Sequence, residues 1–125
     1  RRTMARLFAT NDETGMIVSA FLEPAKQDWT AAQYREWGLE QLAREESFSE
    51  TDVRRFERGV LAILDYRRPD PLGIGDGDKA YDQTNRNVYL VHDGVGVDVH
   101  LSKGDFQPED GALFEAVTDS IRIRE

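Results

Sequence analysis

Asp98, His100 and Ser102 fall at every second position of the stretch VYLVHDGVGVDVHLS, residues 88 to 102, which also contains His92, the chain's other histidine. A carboxylate, an imidazole and a hydroxyl are the parts of a nucleophilic triad: the ring takes the hydroxyl proton and the acid orients the ring. The spacing argues against that chemistry. Residues two apart on a strand have Cα atoms about 6.5 Å apart and nearly parallel side chains, whereas a base must come within about 3 Å of its nucleophile. No nucleophile elbow or oxyanion-hole pattern accompanies the trio. A small hydrolase using Asp98 and His100 is therefore the weakest reading, and no catalytic residue is assigned. Two histidines eight apart across a tight turn have no recognised metal-ligand spacing, and the chain has no cysteine. No metal and no cofactor are expected.

The stretch must be positioned by a hairpin. Asp93-Gly94 between two alternating runs is the strongest short-range hairpin signal, because a type I′ turn needs positive φ at both central residues. A two-residue loop sets His92 opposite Val95, Leu90 opposite Val97, Tyr89 opposite Asp98, Val88 opposite Val99 and Asn87 opposite His100. Opposed residues share a face. One face then collects Val88, Leu90, His92, Val95, Val97, Val99 and Leu101 and is expected to point to the core. The other collects Asn87, Tyr89, Val91, Gly96, Asp98, His100 and Ser102 and is expected to meet solvent or a partner.

The remaining segments supply the rest of a layered fold. Two apolar runs flank the turn-rich NDETG, which predicts a first hairpin, and Met16 to Leu22 is apolar enough for a strand buried on both faces. Thr30 and Gln33 form a capping box, with Trp29 and Tyr34 at hydrophobic-staple spacing, so a helix is predicted over about 31 to 46. Its apolar stripe runs through Ala31, Tyr34, Gly38, Leu39 and Leu42. TDVRRFERGVLAILDYRRP reads as two strands, or one bent strand, with Gly59 at the break and Val60 to Tyr66 as the buried part. Arg54, Arg55, Arg67 and Arg68 read as a solvated face. A second helix is predicted over about 109 to 119, and SIRIR alternates like a short closing strand.

Residues 69 to 87 form a long segment rich in Pro, Gly and Asp, a length that is uncommon unless it is functional or mobile. GIGDGD lacks both the GxxxxGK[ST] of a P-loop and the terminal glutamate of an EF-hand loop, so the segment is read as a connector that contacts a partner. Asp76, Asp78 and Tyr81 on it join Tyr89, Asp98 and His100 as candidate partner-binding residues.

The chain of 125 residues is expected to form one α+β domain, an antiparallel sheet with two packed helices in a layered sandwich. Sixteen basic against twenty-four acidic residues give a net charge of −8, which disfavours nucleic acid and anionic membranes and favours a basic partner. No apolar run approaches the roughly 20 residues of a membrane span. The chain opens on Arg1 rather than Met, so a leader, a lipid-anchor segment or a first strand is expected upstream. Both the bacterial cytoplasm and the periplasm remain open.

In element order the succession MIVSAFLEP, a helix, FERGVLAILDYRR, a loop, NVYLVHDGVGVDVHLS and LFEAVTDSIRI resembles the PsbP-like fold group. That group includes photosystem II extrinsic subunits, a Ran-binding nuclear import factor, DcrB-type bacterial lipoproteins and Eag-type chaperones of type VI secretion effectors. The resemblance implies a non-enzymatic binding or assembly module. The leading expectation is an immunity protein or secretion-associated chaperone that binds a basic toxin or effector, and the alternative is a periplasmic lipoprotein or envelope accessory domain.

Overall fold

The computed structural model describes residues 5–26, 28–45, 48, 52–68 and 82–123. Six strands, β1 (Ala5–Thr10), β2 (Ile17–Pro24), β3 (Arg54–Arg58), β4 (Leu61–Arg68), β5 (Gln83–His92) and β6 (Val95–Gly104), form one sheet in the order β1-β2-β6-β5-β4-β3. Every neighbouring pair is antiparallel. Helices α1 (Ala31–Leu42) and α2 (Asp110–Ser120) complete the α+β sandwich.

Turn chemistry sets the register. Asp93 (φ 49°) and Gly94 (φ 74°) both take the positive φ of a type I′ turn. The β5–β6 ladder runs from His92 opposite Val95 to Gln83 opposite Gly104, with Tyr89 against Asp98 and Asn87 against His100. The expected pairing is thus observed. Gly59, at φ 59°, turns β3 into β4, which resolves the segment into two strands. Val60 sits at the tip of that turn, 71% exposed, and the buried run begins only at Leu61. Asn11 closes the first hairpin by accepting the Glu13 and Thr14 amides on its side-chain oxygen.

The strand alternation divides the core between the two faces. Tyr34 of α1 packs on Ala62, Leu64, Tyr66 and Tyr89. Phe114 of α2 packs with Met16 and Leu101 on the opposite face, beside Leu61, Ile63, Val88 and Leu90. A helix therefore lies over each side of the sheet.

Thr30 Oγ1 accepts the Gln33 amide and Gln33 Oε1 accepts the Thr30 amide, so the predicted capping box starts α1. The helix ends at Leu42 rather than near 46, and tighter i→i−3 turns carry on to Glu45. Arg35, buried, fixes α1 to the edge of the sheet through the Phe56 carbonyl at 3.0 Å and Glu57 at 3.1 Å. Asp110 anchors the start of α2 by accepting the Gln107 amide at 2.7 Å and pairing with Lys103 at 2.9 Å. Those two partners, the amide first, hold its carboxyl below the ordinary range.

Two sequence expectations fail for identifiable reasons. β2 is half-buried rather than enclosed on both faces, because its outer neighbour β1 is itself exposed along its whole length. No closing strand follows α2 among the described residues. Ile121 instead packs on the Leu61, Ile63 cluster, which holds the chain against the face of the sheet and away from either edge.

Candidate functional site

The polar face of the β5–β6 hairpin is not a surface. Tyr89 is 1% and Asp98 4% exposed, and Asn87 and Ser102 are also buried; α1 packs on this face through Tyr34 against Tyr89. This corrects the reading of Tyr89, Asp98 and His100 as an outward patch: polar alternation marks which residues share a face and says nothing of what covers it. The three residues do come together, in the lining of a cleft of about 340 Å³ between α1 and the sheet. Asp76, Asp78 and Tyr81 lie outside the described residues.

A hydrogen-bonded chain runs along the cleft floor. Tyr66 Oη donates to Asn87 Oδ1 at 2.9 Å, and Asn87 Nδ2 donates to Asp98 Oδ1 at 2.7 Å. Asn85 Nδ2 donates to the Gln83 carbonyl, which turns its Oδ1 toward His100 Nε2 at 2.8 Å. His100 is thereby assigned the tautomer with its proton on Nε2. Its ring stacks on Tyr66 with centroids 6.4 Å apart.

Burial is the main influence on the titration of these groups. It lowers the His100 pKa, with Arg68 adding to the effect and Asp98 opposing it, so the ring is neutral at pH 7. Tyr66 is raised, first by burial and then by the neighbouring Asp98 charge, and stays a phenol. At the margin Arg68 forms an ion pair with Glu45, and desolvation lowers its pKa. The Nε of Arg68 is the one buried side-chain nitrogen or oxygen among the described residues without a hydrogen bond. Arg68 is thus half-buried, not part of a solvated face.

Asp98, His100 and Ser102 are not joined to one another by a side-chain hydrogen bond among the described residues. Asp98 is bonded to Asn87, and His100 to Asn85. His92 lies on the opposite face of the strand, half-buried, and pairs with Asp93 at 3.2 Å.

Sequence reasoning missed the part of the lining that comes from other elements, notably Phe21, Trp37 and Tyr66. Two glycines signalled only the close seating of α1 on the sheet, not those three residues. Gly38 lies mid-helix, and a Cβ there would overlap the Tyr89 hydroxyl. Gly96 is the second residue of β6, and a Cβ there would stand 2.7 Å from the Tyr34 ring. Glycine in an element interior, where it weakens the element, marks a close approach by something large.

Trp37 also borders a second cavity of about 230 Å³ toward the N-terminal end of α1, with Trp29, Tyr34 and Glu23. Tyr34 Oη donates to the buried Glu23 carboxylate there. No described helix is long and apolar enough to cross a membrane. No protein-family model matches the chain, and no curated protein matches it.

Proposed function

We propose that the chain is a non-enzymatic protein-binding module that takes up an extended segment of a partner along the edge strand β1. One observation carries this reading: all six residues of β1 are exposed, with Leu7 61% and Phe8 64% accessible. An open edge presents unpaired amides and carbonyls, and natural edges are normally blunted by charge, proline or a bulge. β3, at the other edge, is blunted in this way by Arg54, Arg55, Glu57 and Arg58. β1 has only Arg6.

The polarity of the edge follows from the turn. Asn11 N–H bonds to Met16 O, so the alternation of an antiparallel ladder turns the amides of Arg6, Phe8 and Thr10 away from β2. A partner strand would bond there and cover Leu7 and Phe8. Asp12 and Glu13 in the adjoining turn, and the net charge of −8, favour a segment with basic residues. An immunity protein or secretion chaperone holding a basic toxin or effector fits these features, as does the PsbP-like resemblance to assembly modules.

A photo-crosslinking residue in place of Phe8, in the organism's own cells, tests the edge. We expect an adduct with a different protein that Arg6→Pro abolishes and Arg6→Ala retains, since only proline removes the outward amide. The same group in place of Val60 controls for general exposure. Equal adducts from both positions, or adducts only with a second copy of the chain, would overturn the proposal.

A further inference from the structure

β1 presents a different chemistry on each face. Its register with β2 places Ala5, Leu7 and Ala9 on the α2 side of the sheet, opposite Leu22, Ala20 and Val18. Every side chain of this row is aliphatic. Val18 reaches the Phe114 cluster, whereas Leu7 and Leu22 remain 61% and 37% exposed. Arg6, Phe8 and Thr10 stand on the α1 side, opposite Phe21, Ser19 and Ile17. There the Arg6 guanidinium lies over the Phe21 ring, 5.0 Å from its centroid, and Thr10 and Ser19 add hydroxyls.

The backbone ties these faces to hydrogen bonding. Arg6, Phe8 and Thr10 are the residues whose amides and carbonyls turn outward. In an antiparallel addition each exchanges two bonds with the partner residue directly opposite, whose side chain shares its face. The bonded partner residues then lie on the mixed α1 side. The residues between them lie on the aliphatic α2 side, with their own amides turned away. In a parallel addition the slanted bonds go instead to the residues on either side, which reverses the assignment. Antiparallel pairing is the more stable per residue, and every pair in this sheet uses it. It brings the N-terminal end of the partner segment to Asp12 and Glu13, which are exposed in the turn beyond Thr10.

Given β1 as the docking edge, we infer that it selects an antiparallel segment with β-branched aliphatic residues at alternate positions, packed on Ala5, Leu7 and Ala9. Polar residues between them bond to Arg6 and Phe8, and a basic residue stands at the N-terminal end.

The test is a titration of the whole chain with acetyl-Lys-Val-Thr-Val-Thr-Val-amide, following the Arg6, Phe8 and Thr10 amide resonances. The peptide should move them saturably. N-methylation of both threonines, which removes the amides facing Phe8 and Arg6, should weaken binding about tenfold or more, and N-methylation of the first two valines should leave it within about twofold. Leu7→Thr, a change at an exposed position, should weaken binding severalfold, and moving the lysine to the C-terminal end should weaken it at low salt. The reverse methylation pattern, an equal loss from both methylations, Leu7→Thr without effect, or equal affinity with lysine at either end would each overturn this assignment and leave the edge reading standing. No shift with any peptide, or full retention by both methylated peptides, would overturn the two together.

Discussion

The α1 and α2 sides of the sheet are built from alternate residues of the same strands, yet they are closed in different ways. On the α2 side Arg86, 6% exposed, binds Asp65 with two nitrogens at 2.7 and 3.0 Å, Glu115 at 2.9 Å and Thr118 at 3.1 Å. Arg58 also reaches Glu115, at 2.6 Å, and Asp119. Opposite charges meet there and join helix to strand, with apolar side chains filling the remaining space. On the α1 side helix-to-strand ion pairs are confined to the β3 edge, Arg35 with Glu57 and Glu36 with Arg55; along the cleft floor the polar groups are mostly neutral amides and phenols that bond to one another within the sheet, and an open cleft remains beneath the helix. A face closed by helix-to-strand ion pairs is committed to stability. A face whose polar groups are satisfied within the sheet can leave room for a ligand.

The largest effect expected is on the ionic side. Arg86→Met should lower the unfolding free energy by about 3 kcal/mol, the low end for breaking a buried ion pair, since Glu115 stays half-exposed and retains Arg58. Urea unfolding measures it. The double change Arg86→Met with Asp65→Leu should recover much of the loss, because no stranded carboxylate is then left on β4. A loss under 1 kcal/mol for the single change would mean that the ion pairs are ornamental and the contrast between the faces is one of shape alone.

Next in size is a pair of glycine substitutions with opposite signs. Gly38→Ala places a methyl group against the Tyr89 hydroxyl. Overpacking of about 1–3 kcal/mol should outweigh the gain of about 1 kcal/mol in helix propensity and lower the urea midpoint. Gly111→Ala in α2 meets nothing within 4 Å and should raise the midpoint, by at most about 1 kcal/mol. Equal responses would show that α1 can lift away from Tyr89 at little cost.

These glycines also show how much was readable in advance. The β5–β6 register followed from Asp93-Gly94 alone, because few residues tolerate positive φ at both turn positions. The capping box at Thr30 and Gln33 likewise depends on neighbours in the chain. The cleft does not: Phe21, Trp37 and Tyr66 come from three distant segments, and each alone reads as core. The polar face of β6 was misread because a buried amide network and a wet surface have the same period of two. Ile121 and Ile123 alternate like a strand, but the pattern carries no information on whether an edge is within reach.

The smallest effect separates the faces by pH. His100 has its pKa lowered chiefly by burial, so below the ordinary value of 6.5 the unfolded chain binds a proton that the folded chain refuses. Stability should therefore begin to fall as pH drops below about 6.5 and stop falling on this account once His100 titrates in the folded state, with a slope of at most about 1.4 kcal/mol per pH unit. Glu115 works in the same direction over a lower range. Its hydrogen bond from Arg58, and then its contacts with Arg86, depress its pKa, so its contribution is intact above 4.5 and fades as pH falls through the folded value. Thermal melts of the wild type and His100→Gln across both ranges distinguish the two faces. The substitution should flatten the decline that begins below about 6.5 and leave the one below 4.5 in place. A wild-type slope that survives it would remove the α1 face from the pH response.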